Sequence, residues 1–195
     1  MTDDKRKVRG NIAKDKILDT AICIIANEGI QGLSTGKISS ISGISKGNIF
    51  HHFKSVDDIY KESFARLLSQ MTSPQVNKST TLEVFFKELG KAAFVQEENE
   101  ILGYKALLAF YNTAQYSETY KDKILELKRS FQTYMIDAIN KITNIKVSNE
   151  LAELISVDLD GLGLYYLLEM DIVKYRNLWD IKSNMYINLI NEQKS

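Results

Sequence analysis

The sequence predicts an all-α protein built in two parts, and three observations carry that prediction. Apolar residues recur three and four positions apart along most of the chain, the period of a helix with one buried face. Proline occurs once, at Pro74, so long helices run without a residue that breaks them. No stretch of useful length alternates apolar and polar residues as a half-buried strand does. With 195 residues, 44% of them apolar and 26% charged, the chain is long enough for one or two real cores.

The first helix is expected from Ile12 to Glu28, with Ile17, Leu18, Ala21, Ile24 and Ile25 as its apolar stripe and Gly29 just past its end. Before it, Lys5, Arg6, Lys7 and Arg9 form a short basic arm, either a phosphate or minor-groove contact or a solubilising tail. A short second helix runs from Thr35 to Ser42, capped by Ser34 or Thr35, with Ile38 and Ile41 expected inward. Gly43 allows a sharp turn into Ile44 and Ser45. Ser45 then caps a third, very short helix in which Ile49, Phe50 and Phe53 are expected to face a core. Lys46, Asn48, His51 and His52 are left on its other side. Helix, glycine turn and helix make a helix-turn-helix, and a major groove accepts such a small helix whole.

The fourth helix is expected from Ser55 to about Ser73, followed by a polar linker from Pro74 through Ser79. Thr80-Thr81-Leu82-Glu83 opens a fifth with the spacing of a capping box, running to about Glu98 with Val84, Phe85, Leu89, Ala92 and Phe94 or Val95 inward. Asn99 to Tyr111 forms a sixth and Ser117 to about Ile142 a seventh. Ser148 caps an eighth to about Met170, and Asp171 starts a ninth to about Glu192. The division expected is a DNA-binding part over 1–55, helix four over 55–73 as connector, and a ligand-binding and dimerisation part over 56–195.

Net charge is zero over the chain, which excludes a polybasic nucleic-acid coat. Residues 1–60 hold nine Lys/Arg against seven Asp/Glu, and the remainder sixteen against eighteen. That sign fits DNA contact by the N-terminal part. Cys23 is the only cysteine, which excludes an internal disulfide and a cysteine metal cluster; it is packing or a redox switch. The charged N-terminus lacks a signal-peptide core, and no apolar run approaches the ~20 residues of a membrane span. A cytoplasmic protein is the expectation.

The two histidines are adjacent and point about 100° apart on a helix, so they do not chelate one metal. With no histidine pair at chelating spacing, no Gly-rich phosphate loop and both histidines on the DNA face, no metal, no cofactor and no enzymatic activity are expected.

Ser34-Thr35-Gly36-Lys37-Ile38 followed by Gly43-Ile44-Ser45-Lys46-Gly47-Asn48-Ile49-Phe50-His51-His52-Phe53-Lys54-Ser55 resembles the DNA-binding domain of TetR-type transcriptional repressors. Within that family it is most similar to the multidrug-binding repressors of Gram-positive bacteria. The match covers about residues 12 to 65; beyond it, length and helical pattern agree, with Asp160-Gly161-Leu162 late in the chain. The resemblance implies a dimeric repressor that binds a near-palindromic operator and is released by a small molecule, with helix four transmitting the motion. It implies a phosphate contact at Thr35, and base or close backbone contact at the helix start formed by Ser45, Lys46, Gly47 and Asn48. His51, His52 and Lys54 are then expected to hold phosphates or the groove edge. Two positions depart from the family. Phe50 stands where a tyrosine is usual, which removes a hydroxyl that often reaches a phosphate, and Val56 stands where lysine is frequent.

The aromatic residues of the C-terminal part are core, interface or the lining of a cavity among helices. Tyr104, Phe110, Tyr111, Phe131, Tyr134 and Tyr165 are the expected ligand contacts. The acids Glu97, Glu98, Glu100, Asp158, Asp160 and Glu169 either accompany them or lie on solvated faces; aromatic rings beside a carboxylate suit a hydrophobic, aromatic or cationic inducer. The last two helices carry more apolar surface than one small bundle buries, which predicts a four-helix dimer interface. Leu159, Leu162, Tyr166 and Ile187 are its expected residues, with Ile155 among the supporting apolar positions and Gly161 and Gly163 allowing close approach. The alternative is a DNA-binding regulator without a small-molecule ligand, controlled by a protein partner or by its own abundance.

Overall fold

A computed structural model describes residues 2–71 and 81–193, with side chains from Gly10 to Gln70 and from Thr81 to Gln193. The expected linker at 74–79 and the side chains of the basic arm lie outside the described residues. The elements are α1 (Thr2–Glu28), a 3-10 turn (Ile30–Gly32), α2 (Thr35–Ser42), α3 (Lys46–His52), α4 (Val56–Met71), α5 (Leu82–Ala93), α6 (Glu98–Ala114), α7 (Glu118–Thr143), α8 (Asn149–Glu169) and α9 (Ile172–Glu192). The described residues contain no strand, and the all-α expectation holds. Most expected helix starts also hold, because the caps are local chemistry. The hydroxyls of Ser34, Ser45, Ser55, Thr81 and Ser148 each accept a hydrogen bond from the backbone N–H three residues on, and the Asp171 carboxylate does the same.

The chain forms two compact units, one from Met1–Met71 with Glu98–Lys121, the other from Thr72–Glu97 with Asp122–Ser195. The units are interleaved in sequence, since α6 packs on α1 and α4. In the first unit Ile17, Ala21, Ile24 and Ile25 of α1 are buried with Ile38, Ile49, Phe53 and Ile59. Arg66 ties α4 to α1. Its Nε and Nη2 donate to the two oxygens of Asp19 at 2.9 and 3.2 Å, and Nη1 donates to Asp15 at 2.8 Å. Lys14 pairs with Glu62 at 2.6 Å across the same seam. Further along, Tyr60 and Phe64 of α4 pack on Phe110 of α6, with ring centroids 4.8 and 4.5 Å apart. The Tyr60 hydroxyl and that of Thr113 are 2.9 Å apart.

In the second unit α5, α8 and α9 share one aromatic core with Met135 and Ile139 of α7. Two of its polar ring atoms are satisfied by the backbone. Trp179 Nε1 donates to the Phe86 carbonyl at 2.7 Å, and the Tyr166 hydroxyl donates to the Val95 carbonyl at 2.6 Å. Gly90 is required where α5 meets α9: a Cβ there would sit 2.4 Å from Trp179 Cδ1. Tyr186 donates to Asp158 at 2.5 Å, and Lys182 reaches the same carboxylate oxygen at 2.9 Å.

Four expectations of burial fail. Phe50 is 53% exposed and Ile41 is 56% exposed. A helix of seven residues has one inward position, taken by Ile49; Phe50 follows it and is turned about 100° away. On α2 the inward residues are Ile38 and Ser42, and the Ser42 hydroxyl is needed to accept the Ile44 N–H at 3.1 Å in the turn. Val84 is 41% exposed and Ala92 is also exposed, because Leu82, Phe85, Phe86 and Leu89 take the inner face of α5. α5 also stops at Ala93 rather than near Glu98, since Phe94 turns out of helical geometry and buries its ring.

The residues expected at a dimer interface lie against their own chain. Ile155, Leu159, Tyr166 and Ile187 are covered by their own chain, and Leu162 packs partly against the same core. What α8 and α9 leave in solvent is a different set. Leu154, Val157, Leu164 and Leu168 run along α8, and Leu178, Ile181 and Met185 along α9.

Candidate nucleic-acid interface

The candidate interface is assembled by three local devices. Ser34 caps α2 by accepting the Lys37 N–H at 3.2 Å. Gly43 closes α2 in the left-handed conformation, φ 70°, a region that disfavours any side chain. Ser45 then caps α3 by accepting the Asn48 N–H at 3.3 Å. Behind the helix, Ile49 is fully buried, and Phe53, its extended C-cap, is 2% exposed. The apolar side thus fixes α3 to the head and leaves the opposite side to solvent.

Ser45, Lys46, Gly47, Asn48, Phe50, His51 and Lys54 are all exposed, while Thr35 and His52 are half-buried. Each residue expected from the sequence to touch DNA therefore retains surface. Lys46 arches back over the first turn of α2: a Cβ at Gly36 would lie 3.8 Å from its ammonium nitrogen. That brings Lys46 and the N-terminal end of α2, where Thr35 sits, into one electropositive corner. Gly47 faces open space, and a Cβ there would meet nothing within 4 Å. Lys37 is paired with Glu28, which ties down one cation of this region.

The His52 imidazole is held below its ordinary pKa, first by partial burial and then by His51 and Lys14. It is neutral at pH 7 and offers a hydrogen bond rather than a charge. Its ring lies 5.3 Å from that of His51 in an edge-on arrangement. A Cβ at Gly10 would lie 3.8 Å from its Cε1, so His52 sits against the N-terminal half of α1. Exposed donors of this kind, on a short helix with a rigid apolar backing, can hydrogen-bond phosphates and base edges. Phe50 belongs to the same exposed side: its three-residue spacing to Phe53 does not turn it inward, because Phe53 sits in a non-helical cap.

The expected ligand residues divide between the two units. Tyr104, Phe110 and Tyr111 belong to the first; Phe110 is fully buried and Tyr111 is 37% exposed. Phe131, Tyr134 and Tyr165 belong to the second; Phe131 and Tyr134 are partly buried and Tyr165 is 59% exposed. The Tyr134 hydroxyl is buried with no hydrogen bond. Two acids are committed locally, Asp158 to Lys182 and Tyr186, and Glu169 to Lys174. Asp160 keeps open surface, yet surrounding protein pushes its carboxyl up to about 6 by desolvation; Lys128 lowers it and Glu153 raises it further.

Residues 17–62 match the family model described as "Bacterial regulatory proteins, tetR family". The chain is 26% identical over 133 residues to the HTH-type transcriptional regulator QacR of Staphylococcus aureus, covering 66% of this chain and 68% of that protein. It is 30% identical over 98 residues to the biofilm operon icaADBC HTH-type negative transcriptional regulator IcaR of the same species, covering 48% and 53%. Among solved structures, a transcriptional regulator from Saccharomonospora viridis in complex with choline superposes with a TM-score of 0.76 at 19% identity, over 87% of this chain and 94% of that one. A TetR transcription regulator from Haloarcula marismortui gives 0.74 at 15% identity, over 92% and 98%. These structural likenesses show the fold, and the family match gives the head its kind. The relatives are regulators of transcription, not enzymes. No helix among the described residues is long and apolar enough to cross a membrane.

Proposed function

We propose that this chain, a TetR-type regulator of transcription by the match of its head and by its relatives, works as a homodimeric repressor released from a near-palindromic operator by a small cationic or hydrophobic molecule. The observation that carries the reading is the solvent-facing side of α3. Lys46, Gly47, Asn48 and His51 stand free on a helix whose Ile49 is fully buried. In this reading α3 enters the major groove, with Lys46 donating to guanine O6 or N7 and Asn48 to a base or phosphate. Thr35, Ser45, His51, His52 and Lys54 hold the backbone and set the register.

Dimerisation is supported by the α8–α9 face. Leu154, Val157, Leu164 and Leu168 follow helical spacing and are 42 to 72% exposed. Gly161 lies between them, and a Cβ there would meet nothing within 4 Å. A second copy covers this face and meets the backbone closely at Gly161. Two heads then reach half-sites about one helical turn apart.

The inducer is a cation in this proposal. The regulator in complex with choline supplies the ligand class, and Asp160 supplies the counter-charge. It forms no ion pair among the described residues and bears a desolvation penalty that a bound cation relieves. Partly buried Phe131 and Tyr134 in the same unit offer aromatic faces. One observation favours a regulator without a ligand: Phe110 is packed solid against Tyr60 and Phe64 rather than lining a space. The two readings separate in one experiment. The protein is used to select duplexes from a random-sequence pool, and the selected duplex is titrated by fluorescence anisotropy with and without choline or a lipophilic cationic dye. An inducer binds the DNA-incompetent state better, so it must raise the apparent Kd for DNA. Cations that leave that Kd unchanged remove the inducer and leave the ligand-free regulator. A pool from which nothing is enriched removes both.

A further inference from the structure

Phe50 is the large apolar side chain of α3 that the head does not bury. It is 53% exposed, while Ile49 beside it is fully buried and Phe53 is 2% exposed. A phenyl ring left in water forfeits the gain that burial gives its neighbours. Nothing in the packing of the head uses it, and the residues around it are polar. Lys46 lies one turn before it on the same side of α3 and Gly47 three residues before, and both are exposed. A Cβ at Gly47 would touch nothing within 4 Å, so the surface of α3 one turn before Phe50 is open.

The chemistry of the ring limits what it can do in a groove. It has no hydroxyl, so it makes no hydrogen bond to phosphate. It has no donor or acceptor for a base edge. Its one available contact is apolar, and in the major groove thymine presents the apolar group that meets it, the C5 methyl. We propose that Phe50 is a specificity-determining residue that selects thymine in each operator half-site by packing its ring on that methyl. The inference rests on the reading of α3 as the helix in the major groove. It adds an apolar discrimination to the polar ones of Lys46 and Asn48, so operator preference does not rest on hydrogen bonds alone.

The test uses duplexes selected by the full chain from a random-sequence pool. Each thymine of the selected site is replaced in turn by deoxyuridine, which removes the methyl and leaves base pairing intact. Wild-type protein, Phe50→Ala and Phe50→Leu are titrated against each duplex. At one thymine per half-site the wild type loses about fourfold in affinity, the equivalent of the ~0.8 kcal/mol of one buried methyl. Phe50→Ala loses nothing further at that thymine, and Phe50→Leu retains part of the sensitivity. Phe50 is on the surface, so both variants keep the wild-type thermal unfolding midpoint, which is measured alongside. A wild type indifferent to deoxyuridine at every thymine overturns the proposal, as does Phe50→Ala losing the same factor as wild type. Either result leaves DNA binding by α3 standing, whereas a pool with no enriched sequence overturns DNA binding and this inference together.

Discussion

The helix-turn-helix head and the α8–α9 pair distribute their apolar residues in opposite ways. In the head, polar and apolar residues separate with two exceptions: Ile38, Ile49 and Ile59 are fully buried, Lys46, Asn48 and His51 face water, and Ile41 and Phe50 alone of α2 and α3 leave large apolar side chains exposed. On α8 and α9 apolar residues occupy both sides. Ile155, Leu159 and Tyr166 enter the chain's own core, while Leu154, Val157, Leu164 and Leu168 remain in solvent. A helix with one apolar stripe declares its inward face; a helix with two needs a second surface to account for it. The head thus buries most of its apolar side chains within one chain, whereas the α8–α9 face keeps a row of apolar residues in solvent that the proposed second copy would cover.

The sharpest way to break this comparison is through one buried and one exposed aromatic. Trp179→Ala removes a side chain 1% exposed, and with it the hydrogen bond to the Phe86 carbonyl. We expect a loss of about 3–5 kcal/mol in urea unfolding. Phe50→Ala, on the open side of the head, should stay within about 0.5 kcal/mol of wild type. Comparable losses for both would mean that the head buries Phe50 in solution.

The second contrast lies within α8. Ile155→Ala should cost about 2–4 kcal/mol of stability, since Ile155 is fully buried within one chain. Val157→Glu, at a position 51% exposed, should leave the fold of each copy intact and weaken self-association at least tenfold, because the carboxylate would be buried unpaired between two copies. Light scattering across a concentration series reads the second effect. A Val157→Glu protein that associates as wild type does would assign the face to something other than a second copy.

A smaller effect is expected at the seam of the first unit. Arg66 bridges Asp15 and Asp19 with both carboxylates more than half exposed. Arg66→Ala should therefore cost about 1 kcal/mol, the upper range for a bidentate surface pair. A loss several times larger in thermal unfolding would make the seam a principal support of the head rather than an orienting contact.

The sequence was most legible where structure is set by local chemistry. α2 and α3 begin at Thr35 and Lys46 because Ser34 and Ser45 each cap the chain ahead of a run with one inward residue type, and Gly43 alone suits the turn between them. Legibility failed where a residue had several apolar choices. Val84 is apolar and exposed because α5 carries more apolar positions than one face holds. Phe50 reads as inward on helical spacing to Phe53, but Phe53 sits in an extended cap, where that spacing does not apply. The interleaving of α6 with the first unit depends on Phe110 meeting Tyr60 and Phe64, contacts about fifty residues apart that no local pattern announces. The candidate ligand residues are the hardest to read from sequence, since aromatics in a helical bundle fill cores and line cavities with the same periodicity.

The smallest effect concerns pH. Desolvation by the surrounding protein raises the folded-state pKa of Asp160, which keeps open surface, to about 6, above the ordinary carboxylate value of 3.8. Above pH 6 the ionised group opposes folding, so its contribution improves as pH falls from about 6 to 4. Asp160→Asn should remove that slope from urea unfolding and leave the protein slightly more stable at pH 7.5. It should also weaken cation binding there, whereas in the wild type cation binding should decline as pH drops through 6. An unchanged slope in the variant would take Asp160 out of the account.

The central claim is that the open side of α3 reads DNA, and one titration tests it most directly. Lys46→Ala and His52→Ala are measured by fluorescence anisotropy on the selected duplex and on a duplex of unrelated sequence. Lys46→Ala should lose about 1–3 kcal/mol on the selected site and discriminate less between the two. His52→Ala should weaken both duplexes by the same factor, as loss of a phosphate contact does. Unchanged affinity in both folded variants would contradict the claim.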